Sequence, residues 1–185
     1  AELVRPGVVR VIEGNRFPLG EIDGSDSERV RDLAETFREA GLRSPVLKDI
    51  RSDIWIKLWG NLSFNPISAL TQATLEEIVA FEPTRALAAQ MMVEGQAVGE
   101  KLGVRFKIGL DKRIAGAGAV GAHKTSMLQD VEAGRELELA ALVGSVLELG
   151  EITGVPTPTI RQVHALASLL ATTLKRQHGR LKIEP

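Results

Sequence analysis

Residues 55–70, WIKLWGNLSFNPISAL, set three polar side chains, Lys57, Asn61 and Asn65, four residues apart inside an otherwise apolar run. In an α-helix each four-residue step turns the side chain by only about 40°, so the three form one shallow stripe about 12 Å long. Ser68 falls on the same stripe. Around it stand Ile54, Trp55, Ile56, Leu58, Trp59, Leu62, Phe64 and Ile67, and a helix that is apolar almost all round is normally buried. An unpaired polar group in such a place costs about 1–3 kcal/mol, and a charge more, so a ligand, water or other protein groups must meet the stripe. Each residue taken singly has a plainer reading. Lys57 can snorkel to solvent and pair with Asp53 one turn back, and Asn65-Pro66 is a common turn or cap dipeptide. Taken together, two asparagines four apart on so apolar a helix oppose local propensity without structural return, which favours a site.

Outward from this helix, whose start is expected near Ser52 or Asp53, the chain reads as follows. Upstream, Gly7 to Asp23 contains two short β-type runs about Glu13-Gly14-Asn15 and predicts a hairpin. A lone hairpin is marginal in water, so it is expected to complete a larger sheet lying before Ala1, and the absence of an initial Met suggests a piece of a longer product. Ser27 opens a helix with Val30, Leu33, Ala34 and Phe37 on one face and Gly41 as its stop. A short extended piece about Pro45-Val46-Leu47 follows.

Downstream the pattern is helical. Thr74-Leu75-Glu76-Glu77 is a capping box for a short helix to Phe81, and Glu82-Pro83 opens a long one to about Leu102 with Leu87, Met91 and Val98 as its core stripe. Residues 103–121 are glycine-rich and read as an irregular loop. Helices are expected at about Thr125 to Gly134, Glu138 to Thr153 and Pro158 to Arg176. Gly116-Ala117-Gly118-Ala119-Val120-Gly121 satisfies G-x-G-x-x-G, but that motif cradles a pyrophosphate only between a buried strand and a helix. Leu110 to Ala115 is not such a strand, so we read no phosphate loop here.

Composition narrows the class. With 185 residues, 44% of them hydrophobic, a substantial core can form without staples. The 23 basic and 24 acidic residues leave a formal charge of −1, so there is no electrostatic footprint for nucleic acid. Cysteine is absent, which removes thiolate chemistry and Cys-based zinc sites and is compatible with a cytoplasmic protein. His123, His164 and His178 show no metal-ligand spacing. No apolar run approaches the ~18 residues of a membrane span, and no signal-peptide pattern is present.

Two motifs, in order, resemble one family. Lys57, Asn61, Asn65 and Pro66, followed by Ile67-Ser68-Ala69-Leu70-Thr71, look like the signature helix of the ketopantoate reductases (2-dehydropantoate 2-reductases). The segment His123-Lys124-Thr125-Ser126-Met127-Leu128-Gln129-Asp130, with Arg135 and Glu138 behind it, is similar to that family's S-M-x-Q-D…R…E block. The resemblance implies a mainly α fold: a multi-helix domain at 51–185 for substrate binding and dimerisation, like the C-terminal domain of 6-phosphogluconate dehydrogenase. Residues 1–50 would be the tail of an upstream Rossmann domain, with a β-hairpin, a helix and a short strand.

The implied chemistry is NADPH-dependent reduction of 2-dehydropantoate to pantoate in pantothenate biosynthesis. It calls for a small 2-oxo acid substrate, a possible homodimer and a cytoplasmic location, with no nucleic acid, membrane or metal. NADPH would be held mainly by the upstream domain, so this chain by itself is expected to be inactive and to bind NADPH weakly or not at all.

Reduction leaves negative charge on the former carbonyl oxygen, which a positioned lysine can protonate. The match makes Lys57 the general acid, its proton affinity lowered by partial burial against Trp55, Leu58 and Trp59. Asn61 would orient Lys57 and the carbonyl, and Asn65 a substrate hydroxyl or carboxylate. Ser126, which otherwise reads as a helix cap, would contact the substrate carboxylate or its neighbourhood. Glu138, otherwise a helix-start carboxylate, would lie near the cofactor ribose and the active lysine. Some members carry a further substrate-binding Asn where this chain has Thr74 and Leu75, which leaves the substrate open. A reductase of another branched 2-oxo acid, and a non-catalytic helical interaction module, remain as alternatives.

Overall fold

Two short runs close to the start, each with two adjacent aliphatic residues beside charged ones, pair as a hairpin, β1 (Glu2–Arg5) antiparallel to β2 (Val8–Arg10). These belong to a computed structural model that describes residues 2–11 and 14–179. The hairpin lies earlier than the sequence suggests. Its turn is at Pro6-Gly7, where Gly7 takes φ 76°, rather than about Glu13-Gly14-Asn15, of which Glu13 lies outside the described residues. The second β-type run instead pairs in parallel with the extended piece downstream, through bridges Arg16 to Arg43 and Leu19 to Val46. Phe17 N–H donates to Arg43 O at 2.7 Å and Leu47 N–H to Leu19 O at 2.7 Å. Pro18 interrupts that run, which limits the pairing to isolated bridges.

Helix α1 (Glu28–Glu39) starts at Ser27, whose hydroxyl accepts from Val30 N–H, and stops before Gly41 at φ 80°. The chain divides into two compact units, Ala1–Asp53 and Ile54–Pro185. Helix α2 (Ile50–Thr71) begins two to three residues earlier than expected. It runs unbroken through Pro66, although an interior proline removes one hydrogen bond and costs about 3 kcal/mol. Burial outweighs that cost: every residue from Leu62 to Ala69 is buried. The turn reading of Asn65-Pro66 therefore does not hold.

In the second unit, α3 (Leu75–Ala80) carries the full capping box between Thr74 and Glu77. Helix α4 (Glu82–Lys101) contacts α3 as well as three later helices, α5 (Leu110–Gly118), α7 (Ser145–Thr153) and α8 (Pro158–Arg176). Trp59 of α2 is fully buried and donates Nε1–H to Met92 O of α4 at 2.6 Å, with Phe106 edge-on at 4.8 Å between ring centroids. Trp55 packs against Gly99 so closely that a methyl there would stand 2.5 Å from Nε1. Helix α6 (Ser126–Glu132) and a π-helical turn (Ala140–Gly144) that leads into α7 complete the order.

Residues 110–118, read above as part of an irregular loop, form α5 instead. Gly116 and Gly118 lie in its last turn, and a methyl on Gly118 would stand 2.9 Å from a Val79 methyl of α3. Gly118 lets the two helices approach, whereas a methyl on Gly116 would meet nothing within 4 Å. Helix α8 has no side-chain cap of its own. Buried Glu94 of α4 supplies one, accepting from Thr159 N–H at 3.0 Å and Ile160 N–H at 2.9 Å.

Candidate active site

The polar stripe of α2 is graded in depth. Lys57 is exposed, Asn61 half-buried and Asn65 buried at 4% exposure. Lys57 therefore does not have the partial burial expected of it. It lies eight residues, about two helical turns, from buried Asn65, and among the described residues it forms no ion pair. Ser68 leaves the site altogether: it is fully buried and donates to Ala73 O at 2.6 Å, closing the end of α2.

Asn65 Nδ2 donates to Ser126 Oγ at 3.4 Å, which joins the two sequence motifs in space. Local structure explains why Ser126 is available. Thr125, buried beside it, is the residue that caps α6 by accepting from Leu128 N–H, so the cap reading belongs to Thr125. Met127 and Leu128 point into the core, Gln129 Nε2 donates to Lys124 O, and Asp130 pairs with Arg135 at 2.8 Å. Leu75 N–H donates to His123 O at 3.0 Å and ties the approach to α6 onto α3. The rest of the block is thus structural, and the exposed Ser126 hydroxyl is what it presents.

Glu138 is exposed at the start of the π-helical turn, its backbone oxygen accepting from Leu142 N–H. Among the described residues no hydrogen bond joins its carboxylate to Lys57, Asn61, Asn65 or Ser126. Thr74 is engaged as a cap: its hydroxyl donates to Glu77 Oε2 at 2.8 Å and accepts from Glu77 N–H.

A residue with no sequence signal adjoins the stripe. Arg113 of α5 lays its guanidinium over Gly60, where a methyl would overlap Nη2 and stand 2.8 Å from Cζ. Arg113 is half-buried, and among the described residues it has neither an ion pair nor a hydrogen-bond partner. Burial pushes its guanidinium below the ordinary arginine range, with no carboxylate set against that shift, although an arginine stays charged in a protein. Asp111-Lys112-Arg113 reads in sequence as an ordinary charged helix start. Only its opposition to a glycine on another helix singles Arg113 out.

Residues 49–171 match the family described as "Ketopantoate reductase PanE/ApbA C terminal". The chain belongs to the ketopantoate reductase family. A 2-dehydropantoate 2-reductase of Mesorhizobium japonicum is 63% identical over 170 residues, covering 92% of this chain and 52% of its own length. The crystal structure of a candidate ketopantoate reductase from Ralstonia solanacearum MolK2 superposes with a TM-score of 0.86 at 40% identity, covering 92% of this chain and 52% of that one. The 2-dehydropantoate 2-reductase of Methylococcus capsulatus gives 0.79 at 32% identity, covering 86% and 55%.

The chain spans about half the length of the relatives it matches. Lys57, Asn61, Asn65, Arg113, Ser126 and Glu138 all lie inside the matched stretch. Among the described residues there is no βαβ unit; of the G-x-G-x-x-G glycines, Gly116 and Gly118 lie in the last turn of α5, where Gly118 meets Val79, and Gly121 follows the helix. Glu138 is the one residue here with an expected cofactor contact. Among the described residues no cluster of His, Asp and Glu could hold a metal, and no helix is long and apolar enough to cross a membrane.

Proposed function

We propose that this chain is the substrate-binding part of an NADPH-dependent 2-oxo acid reductase that converts 2-dehydropantoate to pantoate in pantothenate biosynthesis. The observation that carries the reading is the α2 stripe, open at Lys57 and continued at its buried end into Ser126 by the Asn65 hydrogen bond. When bound, the nicotinamide nucleotide supplies hydride to C2 of the substrate. Lys57 Nζ, exposed and unpaired, donates its proton to the 2-oxo oxygen as that oxygen gains charge, so that C=O becomes CH–OH. Asn61, one turn on, holds the carbonyl and the ammonium in register. Asn65 and Ser126 close the far end, where their weak mutual bond can be exchanged for bonds to substrate oxygens. Glu138 is assigned to the cofactor side.

The full-length protein should reduce 2-dehydropantoate with NADPH. Lys57→Ala in it should lower turnover by about 10²- to 10⁴-fold, the usual contribution of a general acid, with an unchanged melting temperature because Lys57 is exposed. Turnover equal to that of the unsubstituted protein would remove Lys57 from the mechanism.

A second substrate, another branched 2-oxo acid, is favoured by one observation. Thr74, at the position where some members carry a substrate-binding Asn, has its hydroxyl committed to Glu77. Comparing kcat/KM for 2-dehydropantoate with that for 2-oxo acids lacking its hydroxyl decides between them. A cytoplasmic homodimer belongs to the same proposal. Support for a protein partner comes from the apolar groove of α2, α4 and α8, in which Leu166 and Leu169 are exposed. Sedimentation of the unsubstituted protein beside Leu169→Glu tests it.

A further inference from the structure

Helix α8 carries a polar stripe that the candidate active site does not use. His164, Ser168, Thr172 and Lys175 recur at intervals of four, four and three residues, which sets them on one side of the helix. That side faces the segment from Gly134 to Ala140 across a cavity of about 520 Å³, a size within the range of small-molecule sites. Buried Leu137, Leu139 and Leu174 make its apolar floor. None of Lys57, Asn61, Asn65, Ser126 and Glu138 lines it, although Glu138 stands between two residues that do. His164 closes one end: its Nε2 would lie 3.8 Å from a methyl on Gly144, which places the ring against the π-helical turn.

The polar groups of this cavity are largely unspent. The Thr172 hydroxyl donates back to Ser168 O at 2.9 Å, but the half-buried side chains of His164 and Ser168 make no hydrogen bond among the described residues. Arg135 is neutralised by Asp130 at 2.8 Å. Glu136 and Lys175 both line the cavity, and among the described residues they pair neither with each other nor with another charge. Both are exposed side chains with the reach to close on a ligand from opposite walls. A bare anion here would meet Glu136 and a bare cation Lys175, in each case a like charge. A zwitterion with an apolar body meets each wall with the opposite sign and covers the floor.

We propose that this cavity binds an α-amino acid with an apolar side chain, its carboxylate at Lys175, its ammonium at Glu136 and its side chain on Leu137, Leu139 and Leu174. The occupant also grips the short stretch that carries Glu138. The site is separate from the α2 stripe, and its existence does not depend on the reductase reading.

The test is calorimetric titration of the full-length protein with L-leucine. Binding is expected, and it should be weaker by about fivefold for leucinamide, which lacks the carboxylate, and for isocaproate, which lacks the ammonium. Lys175→Met and Glu136→Gln, at exposed positions, should each weaken L-leucine by about the same factor. Ala171→Leu keeps both charges but fills the cavity, which Ala171 lines, and should abolish binding in a protein that still melts cooperatively. Lys57→Ala should leave the affinity unchanged. Absence of binding to the unsubstituted protein would overturn the proposal, as would equal affinity for L-leucine, leucinamide and isocaproate. Undiminished binding to a folded Ala171→Leu protein would overturn it too, and so would loss of binding in Lys57→Ala, which would put the amino acid on the α2 stripe. Because the readout is binding, each result holds whether or not the protein reduces a 2-oxo acid.

Discussion

Asn65 Nδ2 and Ser126 Oγ meet at 3.4 Å across 61 residues of chain, so the buried end of the α2 stripe is finished by the first turn of α6. That distance is at the long end for a hydrogen bond. Such a bond adds little to the fold and is easily replaced by one to a ligand. In a double-mutant cycle with Asn65→Ala and Ser126→Ala, the coupling in unfolding free energy should be below about 0.5 kcal/mol, while each change lowers kcat/KM for the 2-oxo acid by an amount worth about 1–3 kcal/mol. Urea unfolding and kinetics on the same four proteins check it. Strong coupling in stability with intact kinetics would make the pair a packing device.

Glu94 should behave in the opposite way. Its buried carboxylate accepts from two backbone N–H groups that open α8, and α8 has no cap of its own. Glu94→Ala removes both bonds and leaves the two amides without acceptors, at a cost of about 2–4 kcal/mol. A shift in urea midpoint of that size at constant slope is expected. A negligible shift would mean that water caps α8 equally well.

Two glycines of the second unit should respond differently to the same added methyl. At Gly99 the methyl meets Trp55 at 2.5 Å from Nε1 and 2.8 Å from Cε2, in a buried ring with little room to move. Gly99→Ala should destabilise by about 1–3 kcal/mol. At Gly60 the obstacle is the far end of a flexible arginine, so Gly60→Ala should be neutral or up to about 1 kcal/mol stabilising through helix propensity. Thermal melts of the two variants side by side make the comparison.

The cap of α3 makes part of the stability dependent on pH. Thr74 N–H, and then the Thr74 hydroxyl, hold the Glu77 carboxyl below the usual glutamate range. A carboxylate lowered in the folded state binds its proton more readily in the unfolded chain. Its contribution is therefore complete above about pH 5 and is lost as the pH falls toward the lower, folded value. Glu77→Gln should flatten the fall of melting temperature between about pH 5 and pH 3. A slope equal to that of the unsubstituted protein would show that the exposed cap does not contribute.

Much of this was legible in the sequence because it is local. The limits of α1, α3, α4 and α8 follow from Ser27, Thr74, Pro83 and Pro158 acting on their own neighbours. The four-residue spacing of Lys57, Asn61 and Asn65 sets them on one side of α2 whatever surrounds it. The hairpin was misplaced for a related reason. Its two candidate turns, Pro6-Gly7 and Gly14-Asn15, have similar local chemistry, and the run beyond Asn15 found a parallel partner at Arg43 to Leu47 that no local pattern announces.

What only the tertiary structure decided depends on which helices cross. Apolar sequence cannot distinguish the exposed end of α2 from its buried end, so Lys57 was expected to be partly buried and is exposed. Residues 110–118 read as loop because glycine disfavours isolated helix, and they are helical because α5 packs on α3, where Gly118 admits Val79. Glu94 on α4 and Arg113 on α5 look like ordinary solvated charges in their own segments. One is turned inward by the bare amides of α8 and the other by the notch at Gly60, and both partners come from distant parts of the chain.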